Sequence, residues 1–585
     1  MKFLAKMKEK QMQRKLGGIL CGLLCAGVLV MPSAWAADYY GNDGNTKQLT
    51  GANVSLDSGN YDAVYGGYDD TEVSLPEVFK NNVTITGTAA TNIVWGAYSF
   101  YGNVRENTVT ISGNTLGNVV CGGGTGAADA IKNHVIIKAN SVVNANVAGG
   151  VAVKGNSEGN TVRIIKSSAA NVFGGKGDTN SKGNSVEISE GTIKDTVYGG
   201  YADNDKNGSA EKNEVAIGAG SVVEGNIYGG YATHNTNENK VSITNGAEVG
   251  QSVFGGFSEK ADSKNNEVIL NGASGVTANI AGGVALKGNS EDNKVNIAKS
   301  TVNMNVYGGY GAKDSIGNII SITDGSSVNK NVYGGYSFKG NSMDNTVTID
   351  NSTVNENVYG GYTESDGAIS EKIQNNKVIF KNGAKIKGDV YGGYDKLSKA
   401  NITNNTLEVV GKDNEAKSIQ NFDKLNFFIT KDLIANDTML KVTDTALINN
   451  AEIKAGVELG TKLNENDKIN LITAGALKAE NITTGTLTDG LINIDKGIKV
   501  AIGPDGNKLV GVIHGTTPPG GGGTTPPGGG GTTPPGGGGT TPPGGGGTTA
   551  QHLRVAAAQL LVPAAFMLML TQNLRLKHSP LRLLC

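Results

Sequence analysis

The residues best suited to bind a metal ion lie in a short polar segment that begins at Asp203. Carboxylate and amide oxygens stand at Asp203, Asp205 and Asn207, and Glu214 follows at the twelfth place of the same segment. Oxygen ligands at these intervals are those of a calcium loop, which is normally flanked by helices. Glu214, however, opens a segment with the alternating pattern of a β-strand. The sequence therefore favours a polar insertion, with a calcium site as the alternative and no other cofactor.

Side chains that could perform catalysis are scattered along the chain. The histidines are His134, His234, His514, His552 and His578. None of them has a nucleophile or a carboxylate at a recurring spacing, and the sequence motifs of serine hydrolases, zinc proteases and P-loop enzymes do not occur. The sequence predicts a protein that is not an enzyme. A lyase-like, β-helical enzyme that degrades polysaccharides is the alternative.

Aromatic side chains recur in the motif Val-Tyr-Gly-Gly-Tyr and its degenerate forms. Its first aromatic position is occupied in turn by Tyr65, Trp95, Cys121, Ala148, Phe173, Tyr198, Tyr228, Phe254, Ala281, Tyr307, Tyr333, Tyr359 and Tyr391. Rings at the same place in every unit favour a ladder that stabilises the protein; an exposed stripe that contacts glycans is the alternative. The glycine pair predicts a positive φ or a close backbone approach at a corner.

A second motif, Asn-x-Val-x-Ile, alternates with the first. It begins at Asn81, Asn107, Asn133, Asn160, Asn184, Asn213, Asn239, Asn266, Asn293, Asn318, Asn345, Asn376 and Asn405. Its Val and Ile alternate with polar residues, as in a strand with one buried face, and a third short strand lies between the two motifs. Because such a unit cannot bury its apolar face alone, the repeat predicts an all-β fold, a parallel β-helix (β-solenoid) of about 13 coils over residues 37–410. The Asn residues should then stack from coil to coil, with a backbone that tolerates a left-handed bend.

The two ends of the chain have different compositions from the repeat region. Residues 1–36 combine a basic stretch, an apolar run and Ala-Trp-Ala, which predicts a signal peptide cleaved after Ala36. Residues 411–515 lose the repeat and become more apolar, which predicts a C-terminal β cap. A Thr/Pro/Gly-rich linker follows at 516–549, and a basic and apolar tail, interpreted as out of frame, at 550–585.

This order of signal, β-helical rod, apolar cap and Pro/Gly spacer resembles the passenger region of type V autotransporters. The segments Asn421–Phe427 and Asp467–Ile472 are similar to those of large repeat-rich members. The resemblance implies an exported adhesin at the cell surface or outer membrane, with a C-terminal translocator barrel. The tail at 550–585 is too short for such a barrel. An outer-membrane translocator is therefore expected but lacking in this chain, and without one the product should remain in the periplasm.

The same resemblance implies the partners. They are glycans or proteins of a host or neighbouring cell, or further copies of the chain in self-association. Nucleic acid is not expected as a partner, because lysines are balanced by acids and the net charge is only −2. The predicted function is therefore a non-catalytic adhesion or self-association rod.

Overall fold

A computed structural model describes residues 37–71, 76–272, 275–364, 371–495 and 498–515. The predicted signal peptide, linker and tail lie outside these residues. Every regular element described is a strand, and the strands form a parallel β-solenoid of about 16 turns. The predicted fold class is confirmed, and the predicted count of 13 coils is low. The described part of the chain contains no helix with the length and apolarity that a membrane crossing requires.

One coil contains four short strands, where the sequence predicted three. After Asn239 the chain forms Lys240–Thr244, Glu248–Val249, Val253–Ser258 and Ser263–Lys264 before the next coil begins. Each strand pairs in parallel with its equivalents one coil away. The unpredicted fourth strand has only two residues, too few to show an alternating pattern.

The strands fall into four sets along the solenoid. The first set contains the Asn-x-Val-x-Ile strands and their equivalents at the two ends; its members are Asn53–Leu56, Asn82–Thr86, Thr108–Ser112, His134–Lys138, Thr161–Ile165, Ser185–Ser189, Glu214–Ile217, Lys240–Thr244, Glu267–Asn271, Lys294–Ala298, Ile319–Thr323, Thr346–Asp350, Lys377–Lys381, Thr406–Val410, Lys424–Ile429, Glu452–Val457 and Thr483–Thr486. The two-residue strands that follow them are Thr115–Leu116, Val142–Val143, Ser168–Ala169, Thr192–Ile193, Val222–Val223, Glu248–Val249, Thr301–Val302, Ser327–Val328 and Thr353–Val354.

The other two sets carry the glycine pairs and the fourth strand of each coil. The glycine-pair strands are Asn60–Asp69, Ala90–Ser99, Val119–Thr125, Val147–Ala152, Val172–Gly177, Val197–Ala202, Ile227–Ala232, Val253–Ser258, Ile280–Ala285, Val306–Gly311, Val332–Ser337, Val358–Thr363 and Lys385–Asp395, and Tyr39–Tyr40 precedes them at the N-terminal end. The fourth strands are Val78–Phe79, Val104–Arg105, Ala130–Ile131, Ser157–Glu158, Asn180–Lys182, Ser209–Glu211, Thr236–Asn237, Ser263–Lys264, Ser290–Glu291, Ser315–Ile316, Ser342–Met343, Lys372–Gln374 and Asn401–Thr403.

A single hydrophobic core runs through the inside of the solenoid. Each coil contributes branched aliphatic side chains from three of its strands, as Val241, Ile243, Val249 and Val253 do, and all four are at most 1 % exposed. Each such side chain contributes roughly 1.5 to 3 kcal/mol when it is removed from water. Stacking of the coils completes this burial, because the apolar side chains of a single coil would be exposed to water on both sides.

The C-terminal region is a continuation of the solenoid that ends in a hairpin. The strands Lys424–Ile429, Glu452–Val457 and Thr483–Thr486 extend the parallel ladder beyond residue 410, which accounts for the additional turns. The strand Lys468–Lys478 then pairs in antiparallel fashion with Lys508–Gly515, whose other neighbour is Ile498–Asp505. This change of direction covers the edge of the strand Lys468–Lys478, which would otherwise expose unpaired backbone groups.

Candidate functional site

The recurring Asn residues form a buried hydrogen-bonded column, here called the asparagine column. Its members are Asn81, Asn107, Asn133, Asn160, Asn184, Asn213, Asn239, Asn266, Asn293, Asn318, Asn345, Asn376 and Asn405, each at most 1 % exposed. Each Nδ2 donates to the Oδ1 of the next member over 2.9–3.0 Å. The same Oδ1 also accepts the backbone N–H of the preceding member, as Asn266 Oδ1 does from Asn239. The predicted stacking of these residues is therefore present.

The left-handed bend lies one residue before the column, not at the Asn itself. The residue directly before each member of the column has a positive φ; these residues are Lys80, Glu106, Lys132, Gly159, Gly183, Lys212, Glu238, Asn265, Asp292, Gly317, Asp344, Asn375 and Asn404. Only three of them are glycines, so the strain of this conformation is accepted at most coils. The bend turns the backbone so that the following Asn side chain points into the core.

The glycine pair does not form a corner; its second glycine makes room for the asparagine column and its first for the backbone of the next coil. Gly229 and Gly230 lie inside the strand Ile227–Ala232 and are not among the residues with positive φ. A Cβ on Gly230 would come within 2.5 Å of the Asn239 side chain, and one on Gly229 within 2.5 Å of the Gly255 carbonyl oxygen. The predicted close approach is correct, and the predicted positive φ and corner position are wrong.

The aromatic residues form two adjacent columns of stacked rings on the outside of the glycine-pair strands. Tyr198 stacks on Tyr228 with ring centroids 5.1 Å apart and an interplanar angle of 6°, and Tyr201 stacks on Tyr231 at 5.1 Å and 3°. Rings of one coil meet edge to face, as Tyr198 and Tyr201 do at 5.2 Å. The ring of Tyr228 is 8 % exposed, and burial raises the pKa of its hydroxyl well above the ordinary value. These contacts are those of a packing ladder, because neighbouring rings occupy the faces a sugar would need.

The structure does not bring the predicted calcium ligands together. Asp203 lies 3.8 Å from the Lys176 Nζ, whereas Asp205 pairs with the Lys260 Nζ at 2.8 Å. Glu214 is exposed at the start of the strand Glu214–Ile217. The backbone carbonyl of Asn207 accepts from Ser209 Oγ. Among the described residues no group of three His, Cys, Asp or Glu side chains is arranged to hold a metal ion.

Calcium binding at this loop is tested by titration calorimetry on the wild type and on Asp205→Ala. If the ion binds, it has to displace Lys260 from Asp205, so we expect weak binding that orders the loop and leaves the melting of the solenoid unchanged. The Asp205→Ala variant should then give less heat. An absence of heat from the wild type at millimolar calcium contradicts the site.

The described histidines stand apart from one another. His134 Nδ1 lies 2.7 Å from the Thr161 Oγ1, and burial lowers the pKa of its imidazole. His234 lies in a loop after the aromatic columns, and His514 lies in the strand Lys508–Gly515. His552 and His578 are outside the described residues. No two of the three described histidines belong to one coil.

Charged residues of neighbouring coils pair with one another along the surface. Arg163 and Glu187 are 3.0 Å apart, and Lys330 and Glu356 are 2.6 Å apart, each pair joining one coil to the next. These pairs are exposed, and each contributes about 0 to 1 kcal/mol. Each pair neutralises its own two charges and links two neighbouring coils.

The structure shows one row of lysines that the sequence analysis missed. Lys260, Lys287, Lys313 and Lys339 stand at the third residue after the second aromatic position in four consecutive coils. We call this row the lysine stripe. The sequence contains a signal for this row, because each lysine stands at the same distance from the second aromatic position. The net charge of the chain does not reveal such a local arrangement.

No family model matches the chain, and no curated protein matches it. The class of the protein is therefore defined by the structure, which is a parallel β-solenoid compatible with an autotransporter passenger.

Proposed function

We propose that the protein is an exported, non-catalytic rod that acts in adhesion or self-association, in the manner of the autotransporter passengers it resembles. The observation that carries the proposal is the unbroken coil-to-coil bonding from Asn81 to Asn405. About 16 turns at the usual strand spacing of about 4.8 Å make a rod of roughly 75 Å. Such a rod offers long, regular side faces for contact.

The use of the polar side chains supports a structural role. The amides of the asparagine column bond only within the rod, and hydroxyls such as Ser290 Oγ bond the backbone of their own coil. Arg105 and Arg163, the arginines of the repeat region, pair with Glu77 and Glu187. Groups that a lyase would direct at a substrate are here engaged in pairs that hold coils in register.

Beads coated with the purified chain test the proposal without relying on any export route. Coated beads should clump with one another if the rod self-associates, and should attach to cells if it is an adhesin. Beads coated with thermally unfolded chain serve as the control, because contact by regular faces requires the folded solenoid. Beads that neither clump nor attach contradict the proposal. Release of unsaturated sugars from a polysaccharide by the soluble chain would support the enzyme instead.

A further inference from the structure

The lysine stripe lies on loops that are bonded from coil to coil. Lys313 donates its backbone N–H to the Gly288 carbonyl over 3.1 Å, and Lys339 donates to the Ala312 carbonyl over 3.1 Å. The loops therefore stack in register, at the strand spacing of about 4.8 Å. The result is a line of ammonium groups parallel to the axis of the solenoid.

The centre of the stripe is not neutralised. Lys287 and Lys313 are exposed and make no ion pair with any residue that the structure describes. At one end, Lys260 pairs with Asp205. Elsewhere on the surface, cationic side chains such as Arg163 and Lys330 pair with an acid of the adjacent coil.

The acids nearest to the stripe are engaged elsewhere. The carboxylates of Asp262 and Asp314 accept the backbone N–H groups of Asn289 and Asn341 over 2.9 and 2.8 Å. Glu259 accepts from the hydroxyl of Tyr231. In the coil that follows that of Lys339, Glu364 lies 3.4 Å from the Lys396 Nζ. Each of these carboxylates is therefore bonded to a group other than Lys287 or Lys313.

Apolar side chains accompany the lysines. Leu286, Ala312 and Phe338 each directly precede a lysine of the stripe and are half-buried. The Lys339 Nζ lies 5.9 Å from the centre of the Phe338 ring. A polymer lying here would meet an ammonium group and an apolar surface in each coil. Sugar rings present carbon–hydrogen faces of that kind, and uronic acids add one carboxylate per ring.

We propose that the lysine stripe binds a linear acidic polysaccharide of the polyuronate class, laid along the axis of the solenoid. A row one residue wide favours a narrow polymer with regularly repeated charge over a membrane surface. The almost complete lack of arginine in the repeat region disfavours nucleic acid, which is bound through many phosphate contacts. The inference deepens the proposed adhesive function and rests on it for its biological role.

The test is binding of polygalacturonate to the full chain at low ionic strength, with neutral dextran as the blank polymer. The test variant is Lys287→Glu with Lys313→Glu. The matched control is Lys154→Glu with Lys299→Glu, which changes the net charge equally. Lys154 lies in a loop of nearly the same sequence, Val153–Ser157, but Ala127 and Thr179 take its place in the adjacent coils.

We expect the Kd of the test variant to rise about tenfold or more, with a weaker salt dependence, because fewer counterions are released. The control variant should bind like the wild type, and all three should melt alike because these lysines are exposed. An unaltered Kd in the test variant, or no binding by the wild type, overturns the proposal. Tighter binding of duplex DNA or of anionic phosphatidylserine vesicles through the same lysines overturns the choice of polysaccharide.

The two proposals fail separately. The chain could bind polygalacturonate while beads coated with it neither clump nor attach to cells. That result would refute the adhesive function and leave the lysine stripe as a binding site. Beads that attach equally well with the test variant would show that adhesion uses another face, and the stripe would then have no part in it.

Discussion

Val295→Asp is expected to abolish the cooperative melting of the solenoid. Val295 is fully buried in the strand Lys294–Ala298, and its neighbours in the adjacent coils are Val268 and Ile320. A carboxylate at this position has no partner, and an uncompensated buried charge costs about 3 to 5 kcal/mol. Because each coil contacts only its neighbours, the defect separates the coils before it from those after it.

The measurement is thermal unfolding followed by circular dichroism. The wild type should melt in one transition, and the variant should melt earlier and in a broad or divided transition. The control is Lys294→Asp, which places the same carboxylate at the adjacent, exposed position of the same strand. Identical melting of Val295→Asp and wild type would show that Val295 does not point into the core.

The repeat region was predictable because its residues carry local signals. The alternation in Asn-x-Val-x-Ile reports which side of a strand is buried, and the fixed interval between motifs requires stacking. The asparagine column follows from the same interval, since a residue at the same place in every coil lies next to the equivalent residue of the adjacent coil. These features need only the sequence of one unit and the knowledge that it repeats.

The role of the glycine pair was not predictable from the unit alone. A glycine in a sequence indicates either positive φ or a close approach, and only the packed structure distinguishes them. Here the approaching group is the Asn side chain that follows some ten residues later, as Asn293 follows Gly283. The lysine stripe was missed for a related reason, because its lysines are neighbours only after the loops are placed in register.

The additional turns at the C-terminal end are not visible as repeats in the sequence because they fill their core differently. The last backbone N–H of the asparagine column, from Asn405, is accepted by the Asp423 carboxylate at 3.0 Å. Asp423 thus takes the place of the Asn, and Phe427 is buried at the place of Val409 in the preceding coil. The Asn motif is therefore lost from the sequence while the parallel pairing continues.

Asn293→Ala is expected to destabilise the solenoid by about 3 to 5 kcal/mol. Asn293 Oδ1 accepts both the backbone N–H and the Nδ2 of Asn266 over 3.0 Å, and its own Nδ2 donates to Asn318 Oδ1 over 3.0 Å. Truncation leaves the buried backbone N–H of Asn266 without an acceptor, which costs about 1 to 3 kcal/mol. It also removes the other bonds of the Asn293 amide, each worth about 0.5 to 1.5 kcal/mol, whereas Asn266 Nδ2 keeps the Thr236 carbonyl and the Ser263 Oγ as acceptors. Unfolding in guanidinium chloride gives the difference. Asn329→Ala is the control, because Asn329 also bonds an Asn of the adjacent coil, Asn303, but at the surface.

A second variant shows whether the glycine pair is required because of the asparagine column. A Cβ on Gly283 would lie 2.5 Å from the Asn293 side chain, so Gly283→Ala alone should be strongly destabilising. In the Asn293→Ala background the obstructing side chain is absent, and the same methyl group would fill part of the space it leaves. The two substitutions should therefore cost less together than the sum of their separate effects, by about 0.5 to 3 kcal/mol. Additive effects would mean that the backbone, and not the Asn293 side chain, requires a glycine at this position. The coupling between the two motifs would then be refuted.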